Sequence, residues 1–353
     1  CSDTDCPASS GVTVDVDLLP GWNWISTNVL MDDMSINTVI PNAQADDFIK
    51  SSTAFSTYYD GFGWYGGVNT INIGKGYKLN VQSLYNWNYD GSAVSPLDYD
   101  ILLTSGWNWI GYIPSNEMDI NSALNFSAEG NDFIKSQAAF STYYDGFGWY
   151  GGVNSLLPFK AYLLNVASNH TFNYPSSISR IISDSNSFNN SLDFNFNDFE
   201  FNGAITASVN IDAIEISSDD VLIAYDNNGN IRGNTKPVYF PLTNEYIFML
   251  MVYGNKSQES LSFEFYDNDL RKNISLNKTI NFEPDMIIGN GFNPLDFAAD
   301  NLEEIHSLSV STAYPNPFNP STSLEYSLMN SGHVEITVFD VTGRKVSILE
   351  NSF

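Results

Sequence analysis

Residues 56–69 read STYYDGFGWYGGVN, and residues 141–154 repeat the same fourteen letters. Internal repeats determine the architecture of a chain, so they are considered before local secondary structure. The offset of 85 positions also relates other landmarks: Trp22 and Trp107, Trp24 and Trp109, Lys50 and Lys135, Tyr77 and Tyr162. This constant offset predicts that the first half of the protein is a tandem duplication, without insertions or deletions between the landmarks.

Each copy of the repeated stretch has the pattern of a β-hairpin. Its Tyr, Thr and Trp residues favour strands. The Asp60-Gly61 dipeptide between them favours a tight turn with positive φ, and Asp145-Gly146 takes the same place in the second copy. We therefore expect positive φ at both glycines.

Changes in composition divide the chain into segments. Residues 194–297 contain several alternating runs at the spacing of a β-sandwich. One short helix is expected in each repeat, at residues 34–40 and 118–124. The predicted segments are a leader (1–14), repeat 1 (15–94), repeat 2 (95–177), a linker (178–193), a sandwich domain (194–297), a second linker (298–312) and a final unit (313–353).

The composition is that of an acidic, β-rich protein. The 353 residues include 14 Lys and Arg against 41 Asp and Glu, which gives a net charge of −27. This charge argues against nucleic acid as a partner, because both would be negative. The two cysteines, Cys1 and Cys6, lie in the leader. The sequence leaves open a lipidated N-terminus, a disulfide between them, or part of an upstream linker.

Residue types that carry catalysis or bind metals are not clustered in the sequence. The histidines His170, His306 and His333 are far apart, and the common hydrolase, zinc-protease and phosphate-loop motifs are missing. Residues 226–230, DNNGN, lack the alternating ligands and final Glu of a calcium loop, which favours a plain hairpin turn. We therefore predict no catalytic residue, no metal site, no cofactor and no enzymatic activity.

The aromatic side chains of the repeated hairpin are the candidates for a binding surface. Strand alternation sends successive side chains to opposite faces. Exposed Tyr and Trp can stack on sugar rings or anchor a protein partner; alternatively, these rings form the core of a small β domain. The candidate ligand-binding residues are Tyr58, Tyr59, Trp64 and Tyr65, with Tyr143, Tyr144, Trp149 and Tyr150 in the second copy.

Two lysines stand out in so acidic a chain. Lys50 and Lys135 occupy equivalent positions, one in each repeat. A lysine stem that crosses apolar surface keeps its ammonium in water or pairs it with a carboxylate. We expect one of these two arrangements at both positions.

The C-terminal residues carry a longer motif. Residues 314–322 read YPNPFNPST, and residues 333–344 read HVEITVFDVTGR. This segment resembles the C-terminal sorting domain of type IX secretion cargo. The residues that carry the resemblance are Tyr314, Pro315, Asn316, Pro317, Phe318, Asn319, Pro320, Gly343 and Arg344.

The resemblance implies an immunoglobulin-like β-sandwich, recognition by the type IX secretion machinery, and export to the cell surface or the medium. The family's domain is longer than the segment at residues 313–353, so a partial sorting domain is expected. The repeats, with their GWNWIS and GWYGG stretches, and residues 194–297 also resemble modules of large surface proteins of this class. The expected fold class is mainly β: two tandem repeats with one short helix each, a β-sandwich, and a partial immunoglobulin-like sandwich.

These observations favour a non-enzymatic, secreted, modular surface protein: an adhesin, a stalk, or a subunit of an extracellular assembly or filament. Two alternatives remain at this stage, an array of carbohydrate-binding modules and an accessory region of a larger secreted hydrolase. The expected partners are the type IX machinery, other surface proteins or further copies of the chain, and polysaccharide.

Overall fold

The computed structural model describes residues 11–176, 194–212, 214–299, 309–317, 319–327 and 333–352. Within these ranges the chain forms mainly antiparallel sheets and two α-helices of four residues each. This confirms the predicted fold class. Cys1, Cys6, His306, the predicted linker at 178–193 and most of that at 298–312 fall outside the described residues.

Repeat 1 consists of two packed sheets. Its elements are β1 (Gly11–Leu18), β2 (Gly21–Ile25), β3 (Val29–Leu30), α1 (Ile36–Val39), β4 (Phe48–Lys50), β5 (Phe55–Tyr59), β6 (Gly63–Gly66), β7 (Tyr77–Val81) and β8 (Tyr85–Ala93). One sheet has the order β2-β7-β4-β5-β6, and the other has the order β1-β8-β3. Strand β8 alternates as expected for a half-buried strand: Tyr85, Trp87 and Tyr89 are buried in the core between the sheets.

Repeat 2 has the same plan. Its elements are β9 (Ile101–Leu103), β10 (Gly106–Gly111), β11 (Met118–Asp119), α2 (Ile120–Ala123), β12 (Phe133–Lys135), β13 (Phe140–Tyr144), β14 (Gly148–Gly151), β15 (Ser155–Leu156), β16 (Ala161–Val166) and β17 (His170–Phe172). The order of its main sheet, β10-β16-β12-β13-β14, matches that of repeat 1 strand for strand. The duplication predicted from the sequence is therefore also a structural one.

The predicted absence of insertions and deletions was wrong around the helices. Asn37 of α1 accepts a hydrogen bond from the Trp64 backbone N–H at 3.0 Å, and Asn121 of α2 accepts one from the Trp149 backbone N–H at 2.8 Å. These asparagines are 84 positions apart, whereas the tryptophans are 85 apart. A one-residue deletion before α2 is therefore compensated by a one-residue insertion after it, and the flanking loops absorb both.

The two repeats contact each other through reciprocal backbone contacts. The end of β2 contacts the turn at Phe159 of repeat 2, and the end of β10 contacts the turn at Gly74 of repeat 1. Two backbone contacts occur twice, with the repeats interchanged. Ile25 bridges Lys160 as Ile110 bridges Lys75, and Ser26 N–H donates to Phe159 C=O as Gly111 N–H donates to Gly74 C=O, both at 3.0 Å. The duplicated halves therefore form a pseudo-two-fold pair within one chain.

The exchanged turn differs between the repeats only in its side chains. Gly74-Lys75-Gly76 of repeat 1 is replaced by Phe159-Lys160-Ala161 in repeat 2. Gly74 and Phe159 both have positive φ, 79° and 64°, so the backbone has the same left-handed conformation at this position. The Phe159 ring crosses to repeat 1, where it lies 6.5 Å from Trp87, whereas Gly74 leaves room for Ile101 and Ile113 of repeat 2.

The third domain is a β-sandwich with its own core. Its strands are β18 (Phe201–Val209), β19 (Val221–Asp226), β20 (Ile231–Thr235), β21 (Pro237–Phe240), β22 (Glu245–Gly254), β23 (Glu259–Asp267), β24 (Lys272–Ser275), β25 (Ile280–Phe282), β26 (Ile287–Ile288) and β27 (Leu295–Phe297). Strands β21, β22, β18, β26 and β27 form one sheet, and β20, β19, β23, β24 and β25 form the other. Strand β22 is buried on both faces: alternate residues from Phe248 to Val252 enter the sandwich core, and those from Met249 to Tyr253 pack against repeat 2.

The C-terminal segment forms two short antiparallel pairs. These are β28 (Ser309–Val310) with β29 (Tyr326–Ser327), and β30 (Val334–Phe339) with β31 (Lys345–Ser352). The β30–β31 pair leaves apolar side chains such as Phe339 and Leu349 exposed. This segment carries the sorting motif, apart from Phe318, which lies outside the described residues.

Two lysines tie the third domain to the repeats. Lys50 pairs with Glu200. Lys135, which is fully buried, lies 2.6 Å from the Asp285 carboxylate and donates to the Asn202 carbonyl at 2.9 Å. Burial lowers the pKa of Lys135, and the adjacent Asp285 opposes that shift. Of the two arrangements expected for these lysines, both positions show the pairing with a carboxylate.

A third lysine is buried between the repeats against aromatic rings. Lys78 is 1% exposed, and its Nζ lies 4.3 Å from the ring centroid of Trp24 and 4.9 Å from that of Trp109. Burial lowers its pKa to about 7, because the charged form loses hydration. Repeat 2 has Leu163 at the equivalent position.

The first prediction concerns the pH dependence that Lys78 gives to stability. Its folded-state pKa lies below the ordinary value of 10.5. Between these values only the unfolded state binds the proton, so stability rises with pH from about 7 to 10, by up to about 1.4 kcal/mol per unit. Urea unfolding at pH 7 to 9.5 should show that Lys78→Leu reduces this slope and is more stable near pH 7. Lys75→Leu, at an exposed lysine, should keep the slope; equal slopes in wild type and Lys78→Leu would contradict the assignment.

The second prediction concerns the hairpin turns. Gly61 and Gly146 have φ of 76° and 75°, as predicted, and a Cβ at either position would meet no neighbouring atom. The cost of a side chain there is therefore backbone strain alone. Gly61→Val should lower the free energy of unfolding by about 1 kcal/mol or more. Gly11→Val, where φ is not positive, is the control, and an unchanged melting temperature in Gly61→Val would argue against the turn.

Candidate binding surface

Strand alternation divides the aromatic side chains of each hairpin between two faces. In repeat 1, Tyr58 pairs across the strands with Trp64, and their rings form an edge-to-face contact at 5.6 Å that faces the core. Tyr59 and Tyr65 lie on the opposite face. Four of the eight candidate residues, Tyr58, Trp64, Tyr143 and Trp149, are therefore part of the repeat cores.

The outward face of the repeat 1 hairpin is exposed. Tyr59 is 49% exposed and Tyr65 is 78% exposed. Two residues that were not among the candidates extend this face: Phe55, which stacks on Phe48 at 5.5 Å, and Phe62 at the tip of the turn, which is 91% exposed. We call Phe55, Tyr59, Phe62 and Tyr65 the open aromatic face.

The same face of repeat 2 is covered by the third domain. Tyr144, equivalent to Tyr59, is only 4% exposed, and Phe140, equivalent to Phe55, is only 1% exposed. The Tyr144 ring lies 5.0 Å from Phe240 and 5.5 Å from Phe292. Identical hairpin sequences thus have opposite environments within one molecule.

Hydrogen bonds fix the covered hairpin at the rim. The Gly291 N–H donates to the Tyr144 hydroxyl at 2.8 Å, and the Tyr150 hydroxyl donates to the Tyr239 carbonyl. Burial raises the pKa of both tyrosines, because the phenolate would lose its hydration. The contact therefore combines ring packing with satisfied hydroxyl groups, as buried tyrosines require.

The acceptor face of the third domain was not anticipated from the sequence. It consists of Phe240, Phe292 and Met249, together with the Tyr239 carbonyl and the Gly291 N–H. One sequence signal was available. The apolar run YIFMLMVY in β22 is uninterrupted, which is typical of a strand buried on both faces.

The open aromatic face can bind by stacking and by excluding water. Rings that project from a paired hairpin lose little conformational freedom on binding.

Within the described residues there is no group of three or more His, Cys, Asp or Glu side chains arranged to hold a metal ion. The Asp226 carboxylate closes its turn by accepting from the Asn228 and Asn230 backbone N–H groups; burial opposes its ionisation, but these bonds and Arg232 lower its pKa to about 2.

The sorting-motif residues that the structure describes are all exposed: Tyr314, Pro315, Asn316, Pro317, Asn319, Pro320, Gly343 and Arg344. Gly343 has φ of 81° in the turn between β30 and β31, and Arg344 pairs with Asp340 at 3.2 Å. None of the described helices is long and apolar enough to span a bilayer.

Comparison with known proteins gives no family for the chain. No family model and no curated protein matches it. Among solved structures, it is similar to one described as "The Bacillus anthracis TIE protein", with a TM-score of 0.18 and 11% identity. The match covers 80% of this chain and 51% of that chain, so the chain spans about half the length of that protein. A TM-score this low carries no argument about fold or function.

The third prediction uses the identical hairpins as a matched pair. Tyr144→Ala removes a ring enclosed by Phe240 and Phe292, and should lower the free energy of unfolding by about 3 kcal/mol. Tyr59→Ala makes the same chemical change at an exposed position and should change it by less than about 0.5 kcal/mol. Chemical denaturation of both variants measures the difference. An equal loss of unfolding free energy in the two variants would mean that the hairpin faces of repeat 1 and repeat 2 are equally covered.

Proposed function

We propose that this protein is a non-enzymatic interaction module of the cell surface or extracellular space, exported by the type IX secretion machinery. The observation that carries the proposal is the open aromatic face of repeat 1. Four large rings stand exposed on a hairpin whose other side is anchored in a packed core. Contiguous exposed apolar patches on a soluble protein mark interaction sites.

The architecture supports a role as a scaffold. The repeats exchange backbone contacts with each other, and the third domain is fixed to both by Lys50 and Lys135. Such a block holds its binding surface in one orientation, which lowers the entropy lost on binding. An adhesin, a stalk or an assembly subunit each needs this property.

The C-terminal motif supports the export part of the proposal. Its residues are exposed, so a receptor can reach them. They lie apart from the repeats in sequence, and the open aromatic face is at the other end of the chain. Export and binding are therefore proposed to use separate surfaces.

Polysaccharide is the second candidate ligand for the open aromatic face. Tyr59, Phe62 and Tyr65 are exposed beside the Asp60 carboxylate at the turn, and aromatic faces with nearby polar groups suit sugar rings. Affinity electrophoresis on a panel of polysaccharides tests it. A retardation that Tyr65→Ala abolishes and Tyr150→Ala leaves intact would favour this candidate, whereas no retardation would exclude the polysaccharides tested.

The fourth prediction tests export. The complete reading frame that encodes this chain is tagged and expressed in a bacterium with type IX secretion and in an isogenic strain without it. We expect the tag outside the outer membrane only in the first strain. Alanine at Tyr314, Pro315, Gly343 and Arg344 should retain it inside, and the control Tyr65→Ala should not. Export that is independent of the machinery would contradict the proposal.

A further inference from the structure

We infer that the open aromatic face of repeat 1 is a docking site for a β-sandwich domain whose surface resembles the acceptor face of the third domain. This inference rests on the proposed interaction function and names the kind of partner. It starts from a comparison inside the molecule: the same hairpin sequence occurs twice, and one copy already binds such a domain.

The aromatic rings, the lysine and the glycine of the covered contact are all present in repeat 1. Each of these residues has an identical residue 85 positions earlier: Phe133 and Phe48, Lys135 and Lys50, Phe140 and Phe55, Tyr144 and Tyr59, Tyr150 and Tyr65, Gly151 and Gly66. Two further contact residues differ: Asn131, which accepts from Asn290, is replaced by Asp46, and Gln137 is replaced by Ser52. The strand order and pairing around them are also the same. Repeat 1 therefore presents the aromatic part of the binding determinant.

Backbone geometry is reproduced as well as side chains. Gly151 has φ of 150°, and its missing Cβ leaves the space that the Met249 methyl group occupies. Gly66 has φ of 151° and offers the same gap on the open face. A partner that places a flexible apolar side chain at this point meets no obstruction from the glycine.

The chemistry of the partner follows from the covered copy. It needs two aromatic rings to enclose Tyr59, as Phe240 and Phe292 enclose Tyr144. It also needs a backbone N–H for the Tyr59 hydroxyl and a carbonyl for the Tyr65 hydroxyl. The third domain of a second copy keeps this surface covered by its own repeat 2, so the occupant is a sandwich domain whose acceptor face is free.

Lys50 marks a difference between the two sites. Lys135 meets Asp285 of the docked domain, whereas Lys50 is already paired with Glu200. Docking on repeat 1 therefore depends on the aromatic hairpin more than on an ion pair. Because the chain carries a net charge of −27, added salt should not weaken the binding of an acidic partner.

The test uses residues 194–299 of this chain as the probe, because their sandwich has a core made of its own side chains. Isothermal titration of the full chain should show one probe bound per molecule. Tyr65→Arg should weaken binding at least about tenfold, because a central aromatic anchor is lost. Leu84→Arg, at another exposed apolar residue, should leave binding unchanged.

A second titration uses residues 11–176, which have both repeats and their cores. This two-repeat fragment should bind two copies of the probe, one on each hairpin. If the fragment binds one probe and the full chain binds none, the inference is overturned, because repeat 1 then rejects the domain that repeat 2 accepts. If neither the full chain nor residues 11–176 binds the probe, the inference is also overturned, because the hairpin then does not recognise the sandwich on its own. Each of these results is independent of the export experiment.

Discussion

The packing of the Tyr144 ring between Phe240 and Phe292 is the contact on which the arrangement of the domains depends. It requires a hairpin that buries Tyr143 and Trp149 in its own repeat and turns Tyr144 and Tyr150 the other way, which strand alternation provides. One face then forms the core of the repeat, and the other forms an interface. A single-residue slip in register would exchange these roles.

Duplication gave the chain two such hairpins, and the third domain can cover only one of them. The pseudo-two-fold pair of repeats is symmetric in its main sheets and in the turns at residues 74 and 159. The third domain breaks this symmetry by packing β22 on repeat 2. Repeat 1 consequently retains a hairpin of the same sequence, the same turn geometry and the opposite exposure. The difference between the two hairpins is thus one of environment.

The sequence predicted the features that depend on local pattern. The offset predicted the duplicated sheets, and the Asp-Gly dipeptides predicted positive φ at Gly61 and Gly146. For Lys50 and Lys135 the sequence predicted either an ammonium kept in water or a pairing with a carboxylate, and the structure shows the pairing. The sequence could not tell Tyr59 from Tyr144, because their local sequences are identical and the difference arises from a domain far along the chain. The compensating one-residue shifts around α2 were hidden because they cancel between the landmarks.

Unequal exposure of identical hairpins is the central claim, and hydroxyl-radical footprinting of the intact protein measures it most directly. Trypsin separates the two copies, because lysines bound residues 51–75 and 136–160 and the flanking residues give the two peptides different masses. We expect the aromatic residues of 51–75 to be oxidised several-fold faster than those of 136–160, since Phe55, Tyr59 and Tyr65 are open while Phe140 and Tyr144 are buried. Equal oxidation rates for the two peptides would contradict the account.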